Sequence, residues 1–221
     1  MEAPVKKPGR PPDKSLQERR REQILDAAAT LFAERGYSDT DTQALADILF
    51  VGKGTIYRYF SSKELLFLAV VDRVMRRLRA AVDASMQGIE DPLDRIAQAI
   101  RAYLAFFQRQ PQFAELLIQE RAQFKDRKKP TYFEHRDANV ERWRALYRDL
   151  IKAGRVRQIP VERITDVISD LLYGTMFTNY FSPKSRSLEQ QAEDILDVVF
   201  SGILTDDERA SRRVRSDGKE S

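Results

Sequence analysis

The sequence predicts an all-helical fold, and three observations support that fold class. After residue 19, apolar residues recur along nearly the whole chain at the spacing of a helix face. Proline and glycine fall mainly at the junctions between these periodic segments. No segment shows the alternation of apolar and polar residues that a half-buried strand requires.

Composition excludes several classes of protein. The chain has 221 residues, of which 42% are hydrophobic and 33% charged, as in a globular protein of one or two modules. No apolar run approaches the roughly 18 residues that cross a membrane, and no signal peptide is recognisable, so a cytoplasmic location is expected. The absence of cysteine excludes disulfides, thiolate metal sites and thiol nucleophiles.

The two ends of the chain are expected to lie outside the folded core. Residues 1–21 contain seven basic side chains against three acidic ones, and prolines interrupt any helix there, which predicts a flexible basic arm over residues 1–19. Residues 206–221 mix charges without an apolar period and are expected to be disordered.

Three helices are predicted after the arm. The first ends at Gly36, which has the position of a C-terminal cap, and its buried stripe comprises Ile24, Leu25, Ala28, Leu31 and Phe32. Thr40 and Gln43 form a capping box for a short second helix, which reaches Leu49 and buries Leu45, Ala46 and Ile48. The chain then turns, and a third short helix runs from Lys53 to Tyr59 with Val51, Ile56 and Phe60 as its anchors.

Longer helices follow. Ser61 and Glu64 form a capping box for a helix that reaches about Met86. A basic stretch with Pro130, from Lys125 to Arg136, is expected to be a loop that contains the single histidine, His135. The remaining helices are expected at Leu93–Gln108, Gln112–Phe124, Asp137–Ala153, Val161–Tyr180 and Leu188–Leu204.

The two short helices and their turn have the design of a helix-turn-helix that binds DNA. The second of them carries donors and flat aromatic rings without an acid, as a groove lined by phosphates requires. Lys63 begins the next helix, where its ammonium and the helix N-terminus are suited to one phosphate. The candidate DNA-binding residues are Thr40, Lys53, Gly54, Thr55, Tyr57, Arg58, Tyr59 and Lys63.

The run GTIYRYFSSKELL, from Gly54 to Leu66, resembles the recognition-helix signature of the TetR family of bacterial transcriptional regulators. The resemblance extends over residues 20–72 and departs from the family at two positions. Phe50 stands where the family commonly has glycine in the turn, and Gly52 stands where it has a serine or threonine N-cap. The resemblance implies a DNA-binding domain over residues 20–66 and a helical ligand-binding and dimerisation domain over residues 67–205. It also implies that Tyr57 and Lys63 hold phosphates, while Lys53 and Thr55 meet bases or phosphates.

The resemblance further implies a cavity for a small hydrophobic ligand in the C-terminal half, which is rich in aromatic residues. Glu120 is unusual because it shares a helical stripe with apolar residues, so its carboxylate needs a partner. That partner is either an arginine on a facing helix or a cationic or hydroxylated ligand. The candidate ligand-binding residues are Tyr103, Phe107, Leu117, Glu120, Phe124, Trp143, Tyr147, Tyr173, Met176 and Phe177.

The last two helices offer more apolar surface than internal packing of a terminal helix pair needs, which predicts a homodimer. Two glycines are expected inside these helices, either for close approach of a second copy or for internal packing. A two-fold dimer predicts an inverted-repeat operator with half-sites about one helical turn or slightly more apart. The candidate interface residues are Ile164, Ile168, Leu171, Gly174, Ile195, Val198, Val199 and Gly202.

These observations predict a ligand-responsive repressor that binds a palindromic operator as a homodimer and is released by a small hydrophobic inducer. The alternative is a constitutive or architectural DNA-binding protein without a ligand. An enzyme is not expected, nor are a metal, a cofactor or a membrane partner, because no nucleophile has a recognisable setting and Gly52–Thr55 fails the template of a phosphate-binding loop. Two interpretations of the arm stay open. Either Arg10 enters the minor groove of the DNA, or the arm is only a solubilising tail.

Overall fold

A computed structural model describes residues 14–182 and 186–202 and confirms that they form an all-helical fold. None of the described helices is both long enough and apolar enough to cross a lipid bilayer. The helices are α1 (Lys14–Asp39), α2 (Thr42–Ile48), α3 (Lys53–Tyr59), α4 (Lys63–Ser85), α5 (Pro92–Arg109), α6 (Gln112–Gln123), α7 (Thr131–Lys152), α8 (Val161–Phe181) and α9 (Leu188–Ser201).

The chain divides into two compact units that do not follow a single boundary along the sequence. The first unit runs up to Ala80 and also includes Gln110–Val140, so α6 and the start of α7 belong to it together with α1, α2, α3 and most of α4. The second unit contains Ala81–Arg109 and continues from Glu141. The expected domain boundary after residue 66 therefore does not coincide with the limits of the compact units.

The start of α1 corrects the predicted basic arm. The helix begins at Lys14, so residues 14–19 are helical rather than part of a flexible arm. No proline or glycine lies between Pro12 and Gly36, and nothing in the sequence therefore stops the helix from extending toward the N-terminus. The rest of the arm, residues 1–13, and the tail at 206–221 lie outside the described residues.

The first unit is built around the buried face of α1, which packs against α6. Ile24, Leu25 and Phe32 are fully buried, and Phe32 contacts Phe67 of α4 edge to face at 5.0 Å between ring centroids. Gly36, expected to end the first helix, leaves the helical conformation at φ 82° and forms a kink inside α1, which continues to Asp39. The sequence therefore identified this core face correctly.

A buried arginine of α4 pairs with two exposed carboxylates of α1 in the same unit. The guanidinium of Arg73 lies 2.6 Å from a carboxylate oxygen of Glu22 and donates a hydrogen bond to Asp26 at 2.7 Å. Its side chain is only 9% exposed. The hydrogen bond from Arg73 holds the pKa of Asp26 below its ordinary value, and the charge of Arg77 acts in the same direction.

Two predicted helix caps are wrong by one residue. Asp41 caps α2 by accepting a hydrogen bond from the Gln43 amide, whereas Thr40 is buried and donates its hydroxyl to the Gly36 carbonyl at 2.6 Å. At α4, Ser62 rather than Ser61 accepts from the backbone amide three residues on. In each pair the neighbouring residues are both good N-caps, so their side-chain types do not decide between them.

The loop between α6 and α7 is shorter than predicted. Pro130 accepts hydrogen bonds through its carbonyl from Phe133 and Glu134, and α7 begins immediately afterwards because proline is compatible with a helix start. His135 therefore lies in a helix rather than in a solvated loop. Its Nε2 is 2.8 Å from Oδ1 of Asp72 on α4, in the same unit.

In the second unit, α5 packs against α8 and α9 through a continuous apolar face. An ion pair between Arg101 on α5 and Glu193 on α9, with a nitrogen to oxygen distance of 2.6 Å, lies outside that face. Gly202 caps α9 at φ 78° instead of lying inside the helix as predicted. Because glycine favours this left-handed conformation, α9 ends there, and the rest of the predicted helix, residues 203–204, lies outside the described residues.

Candidate nucleic-acid interface

The third helix is held from one side and presents the other to solvent. Ile56 and Phe60 are buried, with 1% and 6% of their surface exposed, and anchor the helix to the unit. Gly54, Tyr57 and Arg58 are exposed on the opposite side, while Lys53, Thr55 and Tyr59 are half-buried. Seven of the eight predicted DNA-binding residues are therefore at least partly accessible, and the side chain of Thr40 is the exception.

Tyr57 is positioned by a residue that the sequence reasoning missed. Its hydroxyl lies 3.1 Å from the hydroxyl of Thr42, the first residue of α2. This contact joins the C-terminal half of α3 to the beginning of α2 and fixes the direction of the tyrosine ring. A threonine just after the α2 cap was the available signal, but it did not specify a partner fifteen residues away.

An acid lies beside the basic residues of α3. Asp41 accepts a hydrogen bond from the Gln43 amide and forms an ion pair with Lys53 at 3.1 Å. These two contacts, the amide first, hold the pKa of the Asp41 carboxyl below its ordinary value. The helix itself has no acid, as expected, but the cap of the preceding helix places a carboxylate on its first lysine.

Lys63, at the start of α4, is oriented by the end of α1. Its Nζ donates a hydrogen bond to the Ser38 carbonyl at 3.0 Å and lies 4.6 Å from the ring centroid of Tyr37. Arg58 lies over the ring of Tyr59 at 5.6 Å. Lys63 and Arg58 are therefore held by aromatic or carbonyl contacts instead of extending freely into solvent.

Phe50, in the turn between α2 and α3, adopts a strained backbone conformation. Its φ is 52°, and among the described residues it alone combines a positive φ with a side chain. The ring is 96% exposed, so no packing interaction in the unit compensates for the strain. The turn is held by hydrogen bonds from the Phe50 amide to Asp47 and from the Val51 amide to Ala46. Ile48, expected to be buried, is 50% exposed beside this turn.

The candidate ligand-binding residues are distributed over both units. Leu117, Glu120 and Phe124 belong to the first unit, and the rest, from Tyr103 to Phe177, belong to the second. Glu120 is fully buried, and its carboxylate accepts hydrogen bonds from Arg127, the Thr131 amide and the Thr131 hydroxyl. The internal partner is thus an arginine of the α6–α7 loop rather than of a facing helix, and the carboxylate does not need a ligand.

In the second unit, several of the predicted ligand-binding residues contact one another. Tyr103 donates its hydroxyl to the sulfur of Met176 at 3.9 Å, and its ring lies 5.3 Å from that of Phe107. Tyr147 is buried, and among the described residues its hydroxyl has no hydrogen-bond partner. Burial raises the pKa of Tyr147 above its ordinary value, so the hydroxyl is a neutral donor.

The predicted dimer face is only partly exposed. Val198 is 49% exposed, but Ile195 is buried within the unit, and Ile164, Ile168, Leu171 and Val199 are half-buried. Gly174 is exposed inside α8, and an added side chain would meet open space. The sequence reasoning did not include two other apolar side chains that are exposed on α8 and α9, namely Phe181 and Phe200.

The fold and this surface together define a helix-turn-helix protein of the DNA-binding type, with α3 as its exposed helix. The chain belongs to the TetR family of bacterial regulatory proteins. Residues 24–70 match the model described as "Bacterial regulatory proteins, tetR family", and residues 89–203 match the "Tetracyclin repressor-like, C-terminal domain".

Curated relatives are regulators and a nucleoid factor. The chain is 33% identical over 93 residues to the HTH-type transcriptional regulator HbdR of Aromatoleum sp. (strain CIB), a match that covers 42% of this chain and 41% of that protein. It thus spans less than half the length of that relative. It is 27% identical over 194 residues to the nucleoid occlusion factor SlmA of Haemophilus influenzae, covering 80% of this chain and 84% of that protein.

Solved structures share the fold. The TetR family transcriptional regulator PfmR of Thermus thermophilus superimposes with a TM-score of 0.66 at 26% identity, covering 82% of this chain and 99% of that one. The transcriptional regulator FadR of Bacillus subtilis, solved in complex with stearoyl-CoA, gives a TM-score of 0.68 at 20% identity, covering 83% and 99%.

Proposed function

We propose that this protein is a ligand-responsive repressor that binds a palindromic operator as a homodimer and leaves the DNA when a small hydrophobic molecule binds. The observation that carries the DNA-binding part is the exposed side of α3, where basic and aromatic side chains stand on a helix anchored by Ile56 and Phe60. Such a helix fits the major groove, and its donors match base edges and phosphates.

The contacts on this surface suggest which residues bind phosphates and which read bases. Tyr57, held by Thr42, and Lys63, held over Tyr37, would meet backbone phosphates in fixed directions. Lys53 and Thr55, at the N-terminal end of the helix, would read base edges. Since Lys53 pairs with Asp41 in the free protein, DNA binding would replace that exposed ion pair with a phosphate or base contact at little cost.

Measurements of DNA affinity and of the preferred operator sequence distinguish phosphate binding from the reading of base edges. Lys63→Ala should weaken binding to specific and random duplexes alike and reduce the salt slope of affinity by roughly one unit, because one phosphate is no longer neutralised. Lys53→Ala and Thr55→Ala should instead change the consensus selected from randomised operators. A folded Lys63→Ala protein with unchanged affinity, or variants at 53 and 55 that return the wild-type consensus, would contradict this division.

A homodimer is supported by the exposed apolar side chains of α8 and α9, above all Val198 and Phe200. A second copy would remove their surface from water and set two α3 helices on one face of an inverted repeat. Gly202 caps its helix, so Val198→Glu is a better test of this face than a substitution at the glycine. It should lower the mass found by light scattering and the operator affinity, whereas Leu16→Glu, also exposed but in the first unit, should leave the mass unchanged. A fully dimeric Val198→Glu protein would place the interface elsewhere.

The ligand is proposed to be a hydrophobic molecule with a hydrogen-bond acceptor that Tyr147 can reach. The buried, unpartnered Tyr147 hydroxyl supports this, and FadR, which shares the fold, was solved with stearoyl-CoA. Stearoyl-CoA and stearate serve as probes, because a ligand that binds the folded state raises its melting temperature. The same probe should release operator DNA, and Tyr147→Phe should need more probe for both effects. If no acyl probe raises the melting temperature, this ligand class is wrong.

The alternative is a DNA-binding protein that acts without a ligand, which the similarity to a nucleoid occlusion factor favours. Mapping of chromosomal sites separates the two proposals. A repressor should occupy a few promoters and lose them when inducer is added, whereas an architectural protein should occupy many sites that no small molecule releases.

A further inference from the structure

A basic segment of the first unit is not used by the helix-turn-helix. Residues 121–129 at the end of α6 and in the following loop contain five basic side chains and one acid. Arg127 and Lys129 are bound by carboxylates, the first by Glu120 and Glu134 and the second by Asp137. Lys125 and Lys128 are exposed and have no ion-pair partner in the part of the chain that the structure describes.

This segment lies directly against the residues that hold Lys63, the proposed phosphate-binding lysine of the first unit. The ring of Phe124 is 5.0 Å from that of Tyr37, and the Tyr37 ring is the one over which Lys63 lies. Gln123, which precedes Phe124 in the chain, accepts a hydrogen bond from the Ser38 hydroxyl at 3.3 Å, and the Ser38 carbonyl accepts one from Lys63. Lys125 follows Phe124 immediately in the chain.

The loop is also rigidly held. Arg127, between the two exposed lysines, is fixed by the buried carboxylate of Glu120, which also binds the first residue of α7, Thr131. Anchoring at the centre of a short loop limits the movement of its flanks, so little ordering entropy would be lost when the lysines bind a partner. The two ammonium groups are thus presented from a fixed backbone rather than from a flexible tail.

We propose that Lys125 and Lys128 bind backbone phosphates of the DNA that flanks each operator half-site. The inference rests on the proposed DNA-binding function, whose phosphate edge at Lys63 this loop extends. DNA is the partner that fits because each strand carries one phosphate per roughly 3.4 Å of helix axis, and lysine meets phosphates as a point charge without reading sequence. The loop would add affinity and salt dependence while leaving the preferred operator sequence unchanged.

The test compares the double variant Lys125→Gln and Lys128→Gln with Lys152→Gln, an exposed lysine of the second unit that serves as a matched control. Wild-type protein first selects an operator from randomised duplexes. Fluorescence anisotropy then measures binding to that operator trimmed to its half-sites and to the same operator extended by about one helical turn, roughly 10 base pairs, on each side. Each titration is repeated over a roughly fourfold range of salt concentration.

Wild type and the control should bind the extended duplex more tightly than the trimmed one, and the double variant should lose that gain. Each phosphate that is no longer neutralised should also flatten the salt slope by about 0.9, which is roughly a 3.5-fold smaller loss of affinity over fourfold salt. A double variant that keeps the wild-type gain and slope overturns this inference alone. A loss that is equal on both duplexes, with unchanged slope, also overturns it. A wild type that binds no duplex overturns the proposed function and this inference together.

Discussion

Glu120 allows a quantitative test of how the first unit is held together. Its carboxylate is 1% exposed and accepts hydrogen bonds from Arg127 at 2.8 Å, from the Thr131 amide at 2.9 Å and from the Thr131 hydroxyl at 2.7 Å. Replacement by alanine leaves all three donors without their acceptor. Removing one partner of a buried ion pair costs about 3–5 kcal/mol.

The lower end of that range is expected here. Arg127 is 26% exposed, so water can reach part of its guanidinium once the carboxylate is gone. A loss of about 3 kcal/mol corresponds to a melting temperature lower by roughly 6–12 °C for a protein of this size. Glu120→Gln keeps one acceptor oxygen and should cost less, about 1–2 kcal/mol.

Glu134 provides the matched control because it binds the same arginine from the surface. It is 49% exposed and pairs with the other terminal nitrogen of Arg127 at 3.0 Å, so Glu134→Ala should cost under about 1 kcal/mol. Urea unfolding followed by circular dichroism at fixed protein concentration measures all three variants. A Glu120→Ala protein as stable as wild type would contradict a stabilising role for the Glu120 carboxylate. Loss of the ligand-induced thermal shift in such a protein would assign the carboxylate to the ligand instead.

Three further predictions concern backbone conformation and pH. Phe50→Gly should raise the free energy of unfolding by about 0.5–1 kcal/mol, and with it the urea midpoint, because glycine accepts the φ of 52° that strains phenylalanine. A lower midpoint would show that the phenylalanine ring is packed. Gly202→Ala should lower stability by about 1 kcal/mol, since alanine is strained at φ 78°, and an unchanged midpoint would mean that this cap does not matter. Asp26 has a lowered pKa in the folded protein, so its contribution to stability is present above the unfolded pKa near 3.9 and is lost as pH falls through the folded pKa. Wild type should therefore lose more stability than Asp26→Asn between about pH 5 and pH 2. Equal losses in the two proteins would contradict this prediction.

Helical periodicity was sufficient to predict the helix-turn-helix. The bounds of α3 are those predicted, and two of its three predicted anchors, Ile56 and Phe60, are buried, while Val51 is half-buried. The apolar spacing of a helix is a local property and can be predicted from sequence. Thr40 was wrongly predicted as the N-cap of α2 because the choice of cap depends on contacts that are not local. Two adjacent residues had suitable oxygens, and the choice depended on the Gly36 carbonyl, which only the folded end of α1 brings close.

Long-range partners were less predictable than local structure. The stripe of α6 indicated that Glu120 needs a partner, but no local signal indicated that a loop arginine seven residues later would supply it. Similarly, the sequence did not indicate that α6 belongs with the N-terminal helices, since an apolar face does not specify which helix covers it. Phe124, a candidate ligand-binding residue, packs against Tyr37 and Phe67, two contacts that the sequence did not indicate.

The discontinuous path of the chain through the first unit affects how the protein can be re-engineered. Gln119 of α6 donates a hydrogen bond to the Phe32 carbonyl of α1, and Phe124 covers aromatic rings of α1 and α4. A fragment cut after Ala80 would leave those rings and that carbonyl uncovered. A chimera that transfers this DNA-binding specificity to another sensor must therefore graft two segments, the N-terminal helices and Gln110–Val140, because the unit that carries α3 is completed by a part of the chain that is translated later.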